Sequence, residues 1–360
     1  MHLKLLKAVL IFSLLFLTQI NGYSPLKVTH VFSSHIFPPK ENPKLSNVKA
    51  QEVNVYSSYS SEPAPMGIAD YGVCPNGAYI VHKTQVLAKA CINNLCVQTS
   101  SYTNCISAQL NVVLTYNYQG HQYSIWLQDV ALIMLFNDTI KFIDNVWNMT
   151  SPKAGVGGIQ GNGVICSSGG VTFYYYCANG YPGSPTTFSY PLHFCVLIKV
   201  GVNSLDEPVA YFCYNDGYGW VRYDKVTFLF PGSNNVSITI NGCQYTGSGN
   251  FYDIEFVIGG PGGGSSATFN SGCVYLYLYY WNGQSFQEVK NAYNFGSDTA
   301  ETSCNVIDCA YSQNGQYAAK LTPGSGSLGM LWSSNQVSAS NIEIMHYYST
   351  LTISEWSYKA

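Results

Sequence analysis

The feature that most constrains this chain is its alternation. In Ala108-Gln-Leu-Asn-Val-Val-Leu-Thr-Tyr116, apolar and polar residues trade places for much of the run, as in a half-buried strand. Similar runs, rich in aromatic and β-branched residues, recur at 121–134, 139–147, 171–177, 187–200, 208–214, 219–230, 235–240, 252–259, 273–281 and 341–353. Clusters of Gly, Pro and Asn separate them, and no helical period extends beyond about 12 residues. The pattern predicts an all-β fold, a large antiparallel β-sandwich of jelly-roll or concanavalin-like type, with room for a second small β region.

The ends predict a route out of the cell. Lys4 and Lys7 precede an apolar run, Ala8 to Leu17, followed by polar residues to Gly22. That is the layout of a signal peptide over 1–22. The run falls short of the ~20 apolar residues of a transmembrane helix, so no stable membrane insertion is expected once the signal is removed. Residues 23–52 carry Pro25, Pro38, Pro39 and Pro43 with Lys27, Lys40, Lys44 and Lys49, and read as a linker or pro-segment. The β region is divided as 53–315, the main domain, and 316–360, C-terminal strands of the same domain or a small extension.

Twelve cysteines, all after the signal, predict disulfides in an exported chain. Close spacing favours Cys166–Cys177, Cys195–Cys213 and Cys304–Cys309. No Cys-x-x-Cys pair or neighbouring His completes a zinc pattern. Asn137, Asn148 and Asn235 head glycosylation tripeptides.

Only 10% of residues are charged, against ~25% in ordinary soluble domains. The formal net charge of −3 argues against nucleic acid as a partner. Few carboxylates also means little stability to lose as they are protonated, so tolerance of low pH is expected.

Familiar catalytic signatures fail. Gly155-Val-Gly-Gly-Ile-Gln-Gly-Asn-Gly163 and Gly259-Gly-Pro-Gly-Gly-Gly264 neither open a helix nor lead into Gly-Lys-Ser/Thr, so they read as β loops. The histidines are scattered, no Gly-x-Ser-x-Gly elbow occurs, and no pair of Asp-Thr/Ser-Gly triplets is present. Neither a metal nor an organic cofactor is implied.

The acids themselves are informative, because they sit inside apolar, aromatic stretches: Trp126-Leu-Gln-Asp129, Phe142-Ile-Asp-Asn-Val-Trp147, Tyr223-Asp-Lys225, Tyr252-Asp-Ile-Glu-Phe256 and Ser297-Asp-Thr-Ala-Glu301. Burial raises a carboxyl pKa, one route to a general acid or base. On a strand, Asp253 and Glu255 share a face, while Gln128 and Asp129 face opposite ways. A buried acid hydrogen-bonded to a loop is the competing, purely structural reading.

Together with Pro63-Ala-Pro-Met-Gly-Ile-Ala69 and the glycines after Glu255, these stretches resemble the thermopsin family over roughly 55–310. The resemblance implies a secreted acid endopeptidase of thermoacidophilic archaea, made as a zymogen, cleaving proteins and peptides between bulky hydrophobic residues. The family is grouped with aspartic peptidases, although this chain is richer in cysteine than the family pattern. Two catalytic arrangements stay open. An aspartic dyad would draw on Asp129, Asp144, Asp224, Asp253 and Asp298. In the favoured alternative, Glu255 is a general base and the Gln128 amide holds the water and the oxyanion. Tyr252-Asp-Ile-Glu-Phe-Val257 is similar to the stretch bearing the catalytic Glu of the eqolisin peptidases, and Leu127-Gln-Asp-Val130 more weakly to that bearing their Gln. The rival function is a non-catalytic β-sandwich: a surface-layer, adhesion or carbohydrate-binding protein.

Overall fold

The computed structural model describes residues 64–100, 104–151, 154–168, 171–178 and 185–333. The expected signal peptide, the 23–52 segment and the 341–353 strand lie outside the described residues.

The principal strands are β1 (Pro65–Asp70), β2 (Gln85–Thr99), β3 (Cys105–Tyr118), β4 (His121–Met134), β5 (Thr139–Asn148), β6 (Val171–Cys177), β7 (Leu192–Val202), β8 (Pro208–Asn215), β9 (Trp220–Phe228), β10 (Asn234–Asn241), β11 (Ile254–Gly259), β12 (Ser266–Trp281), β13 (Ala292–Phe295), β14 (Val306–Gln313) and β15 (Gln316–Pro323). Short strands complete two large sheets. One runs β6-β5-β4-β3-β11-β1-β13, with β10 also on β3; the other runs β14-β15-β12-β2-β7-β8-β9. Among the described residues the strand pairings are antiparallel, except where Thr302–Cys304 runs parallel to β12.

The local chemistry explains the hairpins. Tyr118 opposes His121, and Gln119 and Gly120 both take positive φ, 50° and 78°. That is the two-residue turn whose twist matches the strands it joins. The sheets then bury one face each against the other. Ile68, Leu110, Leu127 and Phe142 from the first sheet meet Val86, Phe194, Phe212 and Leu276 from the second, all 1% exposed or less. A sandwich is therefore the observed fold, with no closed barrel among the described residues. A separate two-stranded piece, Val73–Cys74 with Gly77–Ala78, is the only small sheet apart from these two among the described residues.

Some expectations shift. The 187–200 run begins as a continuous strand only at Leu192. The 15-residue strand β2 was not foreseen. β15 continues the second sheet, and Met330–Trp332 pairs with β13 in the first. No helix among the described residues is long and apolar enough to cross a membrane.

The three closely spaced cysteine pairs are not bridged in the structure. The registers show why the three spaced pairs do not close. Cys195 opposes Asn215 and Cys213 opposes Leu197, so the two sit diagonally across β7 and β8. Diagonal neighbours are about 7–8 Å apart, beyond the reach of an unstrained bridge. Cys166 opposes Phe173, whereas Cys177 lies against Ile143 on β5. Cys304 pairs with Thr268 on β12, whereas Cys309 pairs with Lys320 on β15.

Candidate active site: carboxyl and amide groups on one sheet

The first sheet separates the expected site residues by face. Direct cross-strand partners point the same way, so the registers read out rows of side chains. One row on the face turned away from the core is Glu255, Asn111, Gln128, Asn145 and Tyr175, contributed in turn by β11, β3, β4, β5 and β6. Glu255 and Gln128 thus share a row but are not adjacent. Asn111 stands between them, and at about 4.8 Å per strand their backbones are roughly 10 Å apart.

Amide hydrogen bonds run through this region. Asn111 Nδ2 donates to Glu255 Oε1 at 2.7 Å, and Asn145 Nδ2 donates to Gln128 Oε1 at 2.9 Å. Gln128 Nε2 donates to Gln109 Oε1 at 2.7 Å, and Gln109 Nε2 reaches Glu301 Oε2 at 3.4 Å. The row lies between two apolar ones. Trp126, Trp147 and Phe173 oppose one another on one side, with Trp147 and Phe173 stacked at 4.2 Å. Val130, Ile143 and Cys177 line the other.

Three carboxyls gather at the Glu255 end. The segment after β13 crosses here, and Ser297 N donates to Glu255 Oε2 at 2.9 Å. The backbone N–H of Asp298 is a further donor to Glu255. The approach is close: a Cβ on Gly296 would sit 3.0 Å from Glu255 Oε2, so glycine lets the chain pass. Asp253 lies two residues before Glu255, near enough to Asp298 for the two carboxyls to act on each other, and both of its oxygens are buried with no hydrogen-bond partner. Asp253, Glu255 and Asp298 are 1%, 0% and 4% exposed.

Their environments differ. Burial pushes Asp253 well above the ordinary carboxyl range, and the neighbouring Asp298 and Glu255 push it further. Burial also raises Glu255, but Asn111 and the two backbone N–H groups oppose the rise by binding the charged form. Tyr71 is buried beside them; its hydroxyl donates to Phe295 O at 2.7 Å, and burial with the Glu255 and Asp253 charges holds the phenol protonated.

Asp129, Asp144 and Asp224 lie elsewhere, between the sheets. Asp129 opposes Asp144 across β4 and β5. A bulge in β9 between the partners of Phe212 and Cys213 turns both Tyr223 and Asp224 inward. Tyr223 Oη donates to Asp129 Oδ1 at 2.8 Å, and Tyr174 Oη to Asp224 Oδ2 at 2.5 Å. Neither oxygen of Asp144 has a hydrogen-bond partner, and the residue is fully buried. Burial, then the Asp224 and Asp129 charges, push it far up. The five aspartates of the dyad alternative therefore divide into Asp253 and Asp298 on the outward face and the other three inside. Among the described residues, no group of three or more His, Cys, Asp or Glu side chains is arranged to hold a metal.

Sequence reading missed Asn111, Asn145, Gln109 and Tyr71. Gln109 and Asn111 read as the wet side of strand β3, but they are 3% and 0% exposed. The available signal was their chemistry: alternate positions of that strand carry amides and no charges.

A β-sandwich whose outward sheet face carries clustered, buried carboxyls beside an amide row has the equipment of an acid–base hydrolase. The family model Thermopsin matches residues 51–306. Thermopsin of Sulfolobus acidocaldarius is 32% identical over 288 residues, covering 76% of this chain and 84% of that protein. The chain belongs to the thermopsin family.

Proposed function

We propose that this protein is a secreted acid endopeptidase that hydrolyses proteins between bulky hydrophobic residues, with the Asp253, Glu255 and Asp298 cluster as its catalytic centre. Membership of the thermopsin family supports a peptidase. The observation that carries the site is the contrast within the cluster. Burial and the neighbouring Asp298 push Asp253 toward its protonated form, while Glu255 beside it is held by N–H donors that favour its charged form. Environments that drive neighbouring carboxyls apart mark the acid and the base.

Glu255 takes a proton from the attacking water. The Asp253–Asp298 pair gives its proton to the departing amine. Water oxygen adds to the scissile carbonyl, the C–N bond breaks, and the proton taken by Glu255 returns to the pair before the next turnover. Gln128, beyond Asn111 on the row, has a second N–H for the developing oxyanion. The aromatic row and the aliphatic row support a preference for large apolar residues on either side of the scissile bond. Acid favours the mechanism because the pair must hold its proton.

The test is hydrolysis of denatured haemoglobin across about pH 1 to 7, hot, by the full chain and by Glu255→Gln, Asp253→Asn, Asp298→Asn and Gln128→Ala. Loss of a general acid or base costs roughly 10²- to 10⁴-fold. That loss is expected for each of the three carboxyl variants, with a smaller loss for Gln128→Ala. Full activity in folded Glu255→Gln sinks the assignment. Absence of hydrolysis by the folded wild type, after any leading segment is removed, favours a non-catalytic surface or carbohydrate-binding protein.

A further inference from the structure

We infer that Asn111 is a positioning residue that sets the pH at which Glu255 becomes the working base. This rests on the reading of Glu255 above. Asn111 is 0% exposed and sits in register between Glu255 and Gln128. Its Nδ2 lies 2.7 Å from Glu255 Oε1, while its Oδ1 is buried with no hydrogen-bond partner. An ionised carboxylate only accepts, so the amide nitrogen must face it. A rotated amide could accept from a protonated Glu255, but it would leave two N–H groups bare in place of one carbonyl oxygen.

The groups around Glu255 leave Asn111 a large share of the control. Just before its own strand comes Asp253, from the segment after β13 Asp298, and just after β1 the Tyr71 phenol. These are acids or a protonated phenol, and none brings a positive charge to offset the burial that raises Glu255. The donors that oppose burial are uncharged: Asn111 Nδ2 and the backbone N–H groups of Ser297 and Asp298. The backbone donors are fixed by the path of the chain. Asn111 is the side chain among the three, so it is the one that sequence can vary.

The experiment uses the full chain with Asn111→Leu, which keeps the shape but removes the donor, and Asn111→Asp, which keeps the shape and adds an acceptor. Two readouts run in parallel: kcat/KM against pH on a peptide substrate, and the ¹³C carboxyl titration of Glu255, assigned by its loss in Glu255→Gln. In Asn111→Leu the acid limb of activity and the Glu255 titration are both expected to move up by roughly one pH unit, and further in Asn111→Asp. On the plateau above the limb, Asn111→Leu should keep activity within about tenfold of wild type. An unmoved titration in both variants overturns the inference, whatever happens to turnover. A uniformly lower kcat/KM with the limb in place leaves Asn111 a packing role and also overturns it. A shifted titration in a wild type and variants that never hydrolyse peptide would instead overturn the peptidase reading while keeping the control of Glu255 by Asn111.

Discussion

Acid should stabilise this protein, and Asp70 allows the effect to be worked out at one residue. Asp70 ends β1 and is 1% exposed. Tyr79 Oη and Gly72 N donate to its Oδ1 at 2.5 and 2.9 Å, but Oδ2 has no partner. Burial outweighs these donors and Lys83, and raises the carboxyl from 3.8 to about 6. The sign follows from linkage. A folded pKa above the unfolded one means that the native state holds its proton more tightly. The stability is fully present below the unfolded value and is lost as pH rises through the folded value. With 1.36 kcal/mol per unit, Asp70 costs nothing at pH 3, about 1.6 kcal/mol at pH 5 and about 3 kcal/mol at pH 7. Asp70→Asn keeps an acceptor for Tyr79 and Gly72 and cannot ionise. Its buried amide N–H groups cost ~1–3 kcal/mol, but equally at every pH, so they cancel in the slope. Urea unfolding of both proteins at pH 3, 5 and 7 gives the difference of differences. The wild type should lose about 3 kcal/mol more than Asp70→Asn between pH 3 and 7. Parallel pH dependences, within about 1 kcal/mol, would refute the reasoning.

Asp144→Asn should also gain stability at pH 7 relative to pH 3, by more than the ~1.4 kcal/mol of one pKa unit, because Asp144 is buried with two bare oxygens and raised well above its usual range; the same unfolding series reads it. In a glycosylating host, mass spectrometry should find Asn137 and Asn235 modified, since both are exposed, and Asn148 spared, since its Nδ2 donates to Gly155 O and its Oδ1 accepts from Thr150 N. Alkylation of the native protein without reductant should label exposed Cys96, Cys243 and Cys309 first and spare Cys195, which is buried and pushed up to about 12. Gly249→Ala should cut activity and stability together, because the new Cβ would lie 2.2 Å from Ser297 Cβ, next to the backbone N–H that holds Glu255.

Alternation made most of the strands legible, because one buried face per sheet imprints a period of two. The β2 strand escaped because Ala88 and Ala90, with Lys89 and Asn93 opposite, dilute that contrast, although Val86, Ala88, Ala90 and Ile92 all face the core. Acid tolerance was inferred from how few carboxylates there are. A stronger reason to expect it is where they lie: Asp70, Asp129, Asp144, Asp224, Asp253, Glu255, Glu288 and Asp308 are all raised by burial. The acids of the cluster were visible as residues, since Asp253 and Glu255 are two apart on a strand. Their meeting with Asp298, 45 positions after Asp253, depends on a chain crossing that no local pattern records. Asn111 was hidden for a related reason: a sequence shows that a strand has a polar face but not what later covers it.

Gln128 and Asp129 are consecutive, yet one belongs to the outward amide row and the other to the interior carboxyls. That adjacency limits how the family can change its length. A single residue inserted early in β4, unless a bulge absorbs it, would reverse every later side chain of the strand, carrying Asp129 outward and Gln128 into the core at one stroke. Without a bulge to absorb it, extra chain fits this strand in pairs of residues, or at the Gln119–Gly120 turn, where it is taken up before either face is reached.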